Sequence, residues 1–171
     1  VIIRSTWDYQ GRIKEFLEVL ENINSSNCIL ENSLELVKWN IDKSYLKELS
    51  KKGIQIVPSL FYDNYSKKIL NDSLSFFSTT KLIIKPAISA NADDTFIIDK
   101  KNSEKISHIL ENTFADRKFI IQPFIDNIIL EGEYSLIFFE DTHSHTLIKK
   151  PKSGDFRVQE EHGGILSIVE K

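Results

Sequence analysis

The segment Leu82–Ser89, "LIIKPAIS", places a lysine and a proline directly after three apolar residues. A short apolar run rich in isoleucine predicts a buried strand. Pro86 then fixes the point at which the chain leaves the strand. The ammonium group of Lys85 is therefore expected at a strand end, a common place for ligand contacts. An edge lysine that merely extends its charge into water is an equally good interpretation of this residue taken alone.

The rest of the chain predicts helices and strands in mixed order, which is the α+β (mixed α/β) class. The opening "VII", the helix "YQGRIKEFLEVLENI" and a short buried strand "CIL" predict a strand, helix, strand unit. Two short helices are expected in "NSLELVKWNIDKSYLKELSKKG", with Gly53 as the terminal cap, and a further helix in "SEKISHILENTF". Strands are predicted over "IQIVPS", "TFIID" and "KFIIQPF", and a hairpin over "EGEYSLIFFED" and "SHTLIKK" with its turn at "DTH".

Composition excludes several classes of function. The net charge of -3 over 171 residues provides no general basic field, so nucleic acid is not an expected partner. No apolar run reaches the roughly 20 residues of a membrane span, so no membrane contact is predicted. The single cysteine, Cys28, cannot form an internal disulfide and is expected to be buried, which suits a reducing, cytoplasmic location.

The most charged stretch is Lys150–Gly164, "KPKSGDFRVQEEHGG", and a plain solvated turn would not need its assortment of groups. Other polar groups stand at the ends of predicted elements: Lys43 before a helix, Gln122 at the end of a strand and Glu133 at the start of one. With Lys85 and Arg157, these separated side chains could converge on one ligand.

These motifs occur in an order that resembles the ATP-grasp ligases. The set consists of "RSTWDY", "ILEN", "WNIDKSYL", "LIIKPAIS", "IIQPF", "EGEYSLIFF" and "KPKSGDFRVQEEHGG", and it covers nearly the whole chain. Within the family, the chain is most similar to the branch of bacterial glutathione synthetase and the ribosomal-protein glutamate ligases, and especially to the cycloserine-forming group. Each motif alone is weak, whereas the ordered set is specific.

The resemblance implies roles for individual residues. Lys43 and Lys85 match two lysines that contact the ATP phosphates, and Ser89 lies in the loop that covers those phosphates. Gln122, Pro123 and Phe124 match the hinge whose backbone reads the adenine edge.

In the second half, Glu133 matches an acid that accepts hydrogen bonds from the ribose hydroxyls. Arg157 matches the arginine that grips the γ-phosphate and then the acyl phosphate, and with Lys150 or Lys152 it would stabilise the transferred phosphoryl group. Gly163 and Gly164 would let the backbone approach closely or swing as a cover. No metal ligands are assigned within the chain, because the family places its magnesium ligands beyond the position where this sequence stops.

The family also implies a division into domains and an activity. Residues 1–42 would end an amino-terminal α/β substrate domain, 43–125 would form the ATP-grasp lid subdomain, and 126–171 would begin the carboxyl-terminal core. The implied enzyme is an ADP-forming carboxylate–amine ligase that uses ATP and Mg²⁺ to form an acyl phosphate. Its expected substrates are a small-molecule carboxylate and an amine, amino acids or peptide-like compounds, and this stretch alone is expected to be inactive.

An alternative is a non-catalytic, degenerate nucleotide-binding module. The loop from Ala87 to Asp94 has no glycine and carries Asp93 and Asp94, whereas many relatives have a glycine-rich loop there. The predicted absence of metal ligands favours the same alternative. The sequence does not indicate the identity of either substrate or the oligomeric state.

Overall fold

The computed structural model describes residues 1–169. It divides into two compact units, Val1–Pro123 and the part that begins at Phe124. Both units combine helices and strands, which confirms the predicted mixed class. The domain boundaries predicted at residues 42 and 125 stay predictions. No helix among the described residues is long and apolar enough to cross a membrane.

The first unit begins with helices that the sequence predicts. A 3-10 turn at Tyr9–Gly11 leads into α1 (Ile13–Asn24), followed by α2 (Leu34–Asn40) and α3 (Tyr45–Lys51). The side chain of Ser33 accepts a hydrogen bond from the Leu36 amide at 3.3 Å and so caps the start of α2. Gly53, with a φ of 78°, follows the end of α3 in the left-handed conformation typical of a helix terminus.

A four-stranded antiparallel sheet forms the centre of this unit. Its strands are β1 (Leu60–Tyr62), β2 (Lys81–Pro86), β3 (Phe96–Asp99) and β4 (Phe119–Pro123), in the spatial order β1-β4-β2-β3. Helices α4 (Lys67–Phe76) and α5 (Ser103–Thr113) cover one face of it. The buried core consists of Leu70, Leu74, Leu82, Ile84, Ile98, Leu110, Phe114, Phe119 and Ile121.

Alternation along β2 separates this core from the opposite face of the sheet. Leu82 and Ile84 are fully buried against the helices, so Ile83 and Lys85 lie on the other face, where both are half-buried. In the register of the sheet, Gln122 lies opposite Ile83 and Ile120 lies opposite Lys85. The sheet therefore presents Lys85 on the side away from the core.

Three predicted strands are wrong, namely those over residues 1–3, 28–30 and 54–59. Residues 28–30 form no strand, Ile29 is 75% exposed and Cys28 is exposed rather than buried. The expected pairing is reduced to one parallel bridge between Ile2 and Glu31. Residues 54–59 are likewise irregular, and β1 begins after Pro58 instead of ending there. Apolar composition alone does not make a strand, which also needs a neighbour with which to exchange backbone hydrogen bonds.

The second unit is built on a three-stranded antiparallel sheet. A short helix, α6 (Asn127–Leu130), precedes β5 (Glu133–Phe139), β6 (Thr142–Lys150) and β7 (Ile165–Ile168), and the strands lie in sequence order. The β5–β6 hairpin confirms the prediction, although its turn lies at Glu140 and Asp141 because Thr142 and His143 already belong to β6. Strand β7 and helices α4 and α6 were not predicted.

Candidate functional site

Lys43 is bound to the loop that follows β2. Its ammonium nitrogen donates to the carbonyl oxygen and to the hydroxyl of Ser89, both at 2.9 Å, and lies 3.4 Å from the carbonyl oxygen of Ala87. Its backbone amide donates to the same Ala87 carbonyl at 2.9 Å. The carboxylate of Asp42 accepts from the Ser44 amide at 2.8 Å and shapes the turn that leads into α3. The turn before α3 thus holds Lys43 against the exit from β2.

The electrostatics of this position are unusual for a lysine. Burial is the main cause that lowers the pKa of Lys43, and the positive charge of Lys85 adds to it. The nearby Asp42 carboxylate opposes these effects, whereas Arg117 reinforces them, and the resulting pKa of Lys43 is about 8. Lys43, Lys85 and Arg117 therefore form a cluster of positive groups, which we call the cation cluster. An anion placed there would relieve the mutual repulsion of the three groups.

Two residues outside the predicted set hold the loop of residues 87–95 in place. Gln10 accepts a hydrogen bond from the Ala90 amide at 2.8 Å and donates to the carboxylate of Asp93. Arg117 pairs with the carboxylate of Asp94 and donates to the carbonyl oxygen of Ile88 at 3.3 Å. Both acidic side chains of the glycine-free loop are thus engaged with partners in the first unit.

The predicted hinge lies at the end of β4. The Gln122 side chain is only 8% exposed and donates from its amide nitrogen to the Ser59 hydroxyl at 2.8 Å. Because that side chain is used internally, the hypothesis of adenine recognition concerns the backbone of this segment. Gln122 and Pro123 end the first unit, and Phe124 begins the second.

Glu133 and Lys150 lie on the two paired strands β5 and β6 of the second unit. Glu133 starts β5 opposite Lys149, and its carboxylate lies 3.4 Å from the ammonium nitrogen of that lysine. Lys150 is the last residue of β6 and lies opposite Ile165 of β7. The acid predicted to bind ribose is therefore paired with a half-exposed lysine, and its carboxylate oxygens are hydrogen-bond acceptors.

Arg157 is held by its neighbour Asp155. The guanidinium donates to the Asp155 carboxylate at 2.8 and 3.1 Å, and the amides of Phe156 and Arg157 also donate to it. These hydrogen bonds, led by the one from the guanidinium, hold the pKa of Asp155 well below its usual range. They also raise the pKa of Arg157. The planar side chain is thus oriented before any ligand arrives.

Gly163 and Gly164 end the charged stretch at positions where the backbone disfavours a side chain. Gly163 adopts a φ of 85° after a 3-10 turn at Glu160–His162. A methyl group on Gly164 would lie 2.1 Å from the carbonyl oxygen of Val158, a distance that no side chain tolerates. The close backbone approach expected of this pair is therefore made to the chain itself.

The structure brings together Lys43, Lys85 and Ser89, which were predicted from separate motifs to lie at the phosphates. The predicted residues from Phe124 onward belong to the second unit, and within it Glu133 lies opposite Lys149, the residue before Lys150. Gln10 and Arg117 were missed, since their partners lie between 23 and 83 residues away along the chain. No local pattern marks such residues. Among residues 1–169, no group of three or more His, Cys, Asp or Glu side chains could hold a metal ion.

Comparison with known proteins identifies homologues. The family described as "D-cycloserine synthetase DcsG, N-terminal domain" matches residues 1–32. The cycloserine biosynthesis protein DcsG of Streptomyces lavendulae is 26% identical over 153 residues, which cover 87% of this chain and 51% of that protein. The chain therefore spans about half the length of the curated relative that it matches.

Solved structures agree with this relationship. The crystal structure of D-cycloserine synthetase DcsG matches with a TM-score of 0.78 at 27% identity, covering 88% of this chain and 52% of that one. The D-alanine–D-alanine ligase of Bacillus anthracis complexed with ATP matches with a TM-score of 0.60, covering 99% of this chain and 51% of the other. At 18% identity, the latter is a likeness of fold alone. The chain is homologous to DcsG and has the ATP-grasp fold.

Proposed function

We propose that this chain carries the nucleotide-binding part of an ADP-forming carboxylate–amine ligase. The observation that carries the proposal is the cation cluster, in which the half-buried Lys43 is bound to the loop after β2 and lies near Lys85 and Arg117. The carboxylates of Asp94 and Asp42 offset part of this positive charge, and the phosphates of a nucleotide would offset more of it. The homology to DcsG and the ATP-grasp fold support the same assignment.

The phosphates of ATP are assigned to Lys43 and Lys85 in the first unit. A compact ammonium group bridges phosphate oxygens without demanding a fixed plane, so two lysines suit a flexible chain of phosphates. The loop of residues 87–95, including Ser89, lies beside them through its contacts with Lys43. The backbone of Gln122, Pro123 and Phe124 is assigned to the adenine edge, and the Glu133 carboxylate to the ribose hydroxyls.

The chemical step is assigned to Arg157 with Lys150. In this proposal the substrate carboxylate attacks the γ-phosphorus of ATP, ADP departs, and the amine then displaces phosphate from the acyl phosphate. Positive groups that meet the charge on the transferred phosphoryl group accelerate such steps mainly by electrostatics. Arg157 suits this role because its guanidinium offers a planar pair of donors. Mg²⁺ would neutralise phosphate charge, and its ligands are expected outside the described residues.

The substrates are proposed to be small amino-acid-like molecules. The names of the relatives refer to cycloserine and to D-alanine, which supports an amino acid or a related compound on at least one side of the new bond. A cytoplasmic location follows from the same proposal, since ATP is its co-substrate.

Phosphate release from ATP is the experiment that tests this function. The full-length protein is incubated with ATP, Mg²⁺ and a panel of amino acids and dipeptides, and ADP and phosphate are measured. We expect release that depends on an amino-acid substrate and yields an amide product. Tight ADP binding without any release across the panel would contradict the ligase proposal and favour a non-catalytic nucleotide-binding module.

A further inference from the structure

The loop of residues 87–95 adopts a conformation that its sequence does not favour. Asn91, Ala92 and Asp94 have φ values of 52°, 58° and 51°. The left-handed region is unfavourable for residues with a Cβ atom, and Ala92 lacks the polar side chain that makes it tolerable for Asn and Asp. Residues in such conformations persist when surrounding contacts over-determine them.

Three side chains from elsewhere in the first unit provide those contacts. Lys43 binds Ser89, Arg117 binds Asp94 and the Ile88 carbonyl, and Gln10 binds both Ala90 and Asp93. Gln10 differs from the other two in its origin. It lies in the 3-10 turn before α1, at the amino-terminal end of the chain, and its bonds cross 80 and 83 residues of sequence.

The chemistry of these two bonds requires a side-chain amide. The Ala90 amide needs an acceptor, and the Asp93 carboxylate needs a donor, and one glutamine side chain supplies both at once. A carboxylate at position 10 would keep the acceptor but would place like charges opposite Asp93. An aliphatic side chain would supply neither group.

We infer that Gln10 is a positioning residue that fixes the loop beside the cation cluster, and that through it the segment before α1 is coupled to the phosphate site. The part of this inference that concerns ATP rests on the proposed function. Because the loop backbone is bonded to Lys43 at Ser89, displacement of the loop changes the surroundings of the Lys43 ammonium. The effect is expected on nucleotide binding first and on turnover second.

A reciprocal exchange of side chains tests the inference in the full-length protein. Gln10→Glu should speed hydrogen exchange of the Ala90 and Asp93 amides without nucleotide and raise KM for ATP about tenfold, with a smaller change in kcat. Asp93→Asn should be mild, since an amide oxygen still accepts from Gln10. The double variant Gln10→Glu/Asp93→Asn should restore slow exchange and KM to within about threefold of the wild type, because donor and acceptor are merely exchanged.

Arg12→Gln is the matched control. The substitution removes exposed ion pairs to Asp8 and Glu15 in the same segment. Because the Arg12 side chain makes these pairs and not the bonds to the loop, hydrogen exchange in the loop should not change. Unaltered loop exchange in Gln10→Glu, or a double variant as impaired as Gln10→Glu, would overturn the inference. Exchange is measured without nucleotide, so it reports on Gln10 even if the protein binds no ATP. A failure of the protein to bind ATP would count against the proposed function instead.

Discussion

The environment of Lys43 differs from that of an ordinary surface lysine. Its ammonium nitrogen is enclosed by the carbonyl oxygens of Ala87 and Ser89 and the Ser89 hydroxyl, which are neutral acceptors. Burial and the nearby Lys85 make its charged form less favourable, so its pKa is lowered to about 8. The side chain therefore loses its proton as the pH rises through about 8, unless an anion binds.

This lowered pKa predicts that nucleotide binding depends on pH. An anion favours the charged form and raises the pKa of Lys43 in the complex. Above pH 8 the free protein must take up a proton in order to bind, so ADP affinity should fall by up to about tenfold per pH unit as the pH rises above 8. Calorimetric titration in two buffers of different ionisation enthalpy measures both the affinity and the proton uptake.

Lys43→Arg provides the comparison, because a guanidinium stays charged over this range. The variant should bind ADP with little pH dependence between pH 7 and 9. Equal proton uptake by the variant and the wild type would mean that another group titrates on binding, and the role assigned to Lys43 would be wrong.

The role proposed for Arg157 predicts that its substitution lowers turnover much more than it weakens ADP binding. Arg157→Lys keeps the charge but loses the planar pair of donors, so turnover should fall by about 100-fold while ADP affinity changes far less. Glu133→Gln should do the opposite, since the ribose contact is made equally in the ground state and the transition state. Initial rates at saturating ATP, together with ADP titration, measure both quantities. If Arg157→Lys weakened ADP binding and left saturated turnover intact, the arginine would be a ground-state anchor.

At the residue scale, the sequence identifies groups that lie beside recognisable element ends. Lys85 follows a run of apolar residues, and Lys43 precedes a helix, so both could be predicted as ligand contacts from the sequence alone. Gln10 and Arg117 could not, because a side chain that bonds to a distant loop has no periodicity or motif to mark it. Their roles depend on how β2, β3 and the segment before α1 come together in space.

At the scale of elements, the loop of residues 87–95 contains strain that one substitution should relieve. Removing the Cβ of Ala92 relieves about 1–2 kcal/mol of left-handed strain, while the added freedom of glycine in the unfolded chain costs about 0.4–1 kcal/mol. Ala92→Gly should therefore be neutral or stabilising by up to about 1 kcal/mol in denaturant unfolding. Ala90→Gly is the matched control and should be destabilising by about 0.5–1 kcal/mol, since Ala90 has no positive φ. If Ala92→Gly were the more destabilising of the two variants, the loop would not be strained at Ala92.

The charged stretch depends on a second backbone feature, the contact of Gly164 with Val158. A Cβ at position 164 would overlap the Val158 carbonyl, so Gly164→Ala should destabilise the second unit by about 1–3 kcal/mol as the backbone shifts. Gly11→Ala is the control, because nothing lies within 4 Å of the added methyl group and its φ is not positive. Thermal unfolding measures both variants. Equal stability of the two would show that the stretch does not pack as described.

Elements with a clear apolar spacing were predicted correctly. The predictions failed for strands whose formation depends on backbone pairing with a distant segment. Helix α1 and strands β2 to β6 follow directly from apolar spacing. Residues 1–3, 28–30 and 54–59 have strand composition, but they form no ladder with another strand, a long-range condition that composition does not reveal. Helix α4 had a signal that was overlooked, since Leu70 and Leu74 stand one turn apart on its buried face.

At the scale of the molecule, the chain folds into two compact units, and each contains some of the residues predicted from the sequence. The cation cluster and the loop that borders it lie entirely in the first unit, whereas Glu133, Lys150 and Arg157 lie in the second. The chain spans about half the length of DcsG. The central claim, that the cation cluster binds nucleotide phosphates, can nevertheless be tested on residues within this chain.

The most direct test is titration of the full-length protein with ADP and Mg²⁺, with two lysines of one strand compared. Lys85 and Lys81 lie on the same face of β2, but only Lys85 belongs to the cation cluster. Loss of one charge-assisted contact to phosphate predicts that Lys85→Ala weakens ADP binding at least about tenfold, while Lys81→Ala binds like the wild type. Equal affinities for Lys85→Ala and the wild type, or no ADP binding by the wild type at all, would contradict the claim.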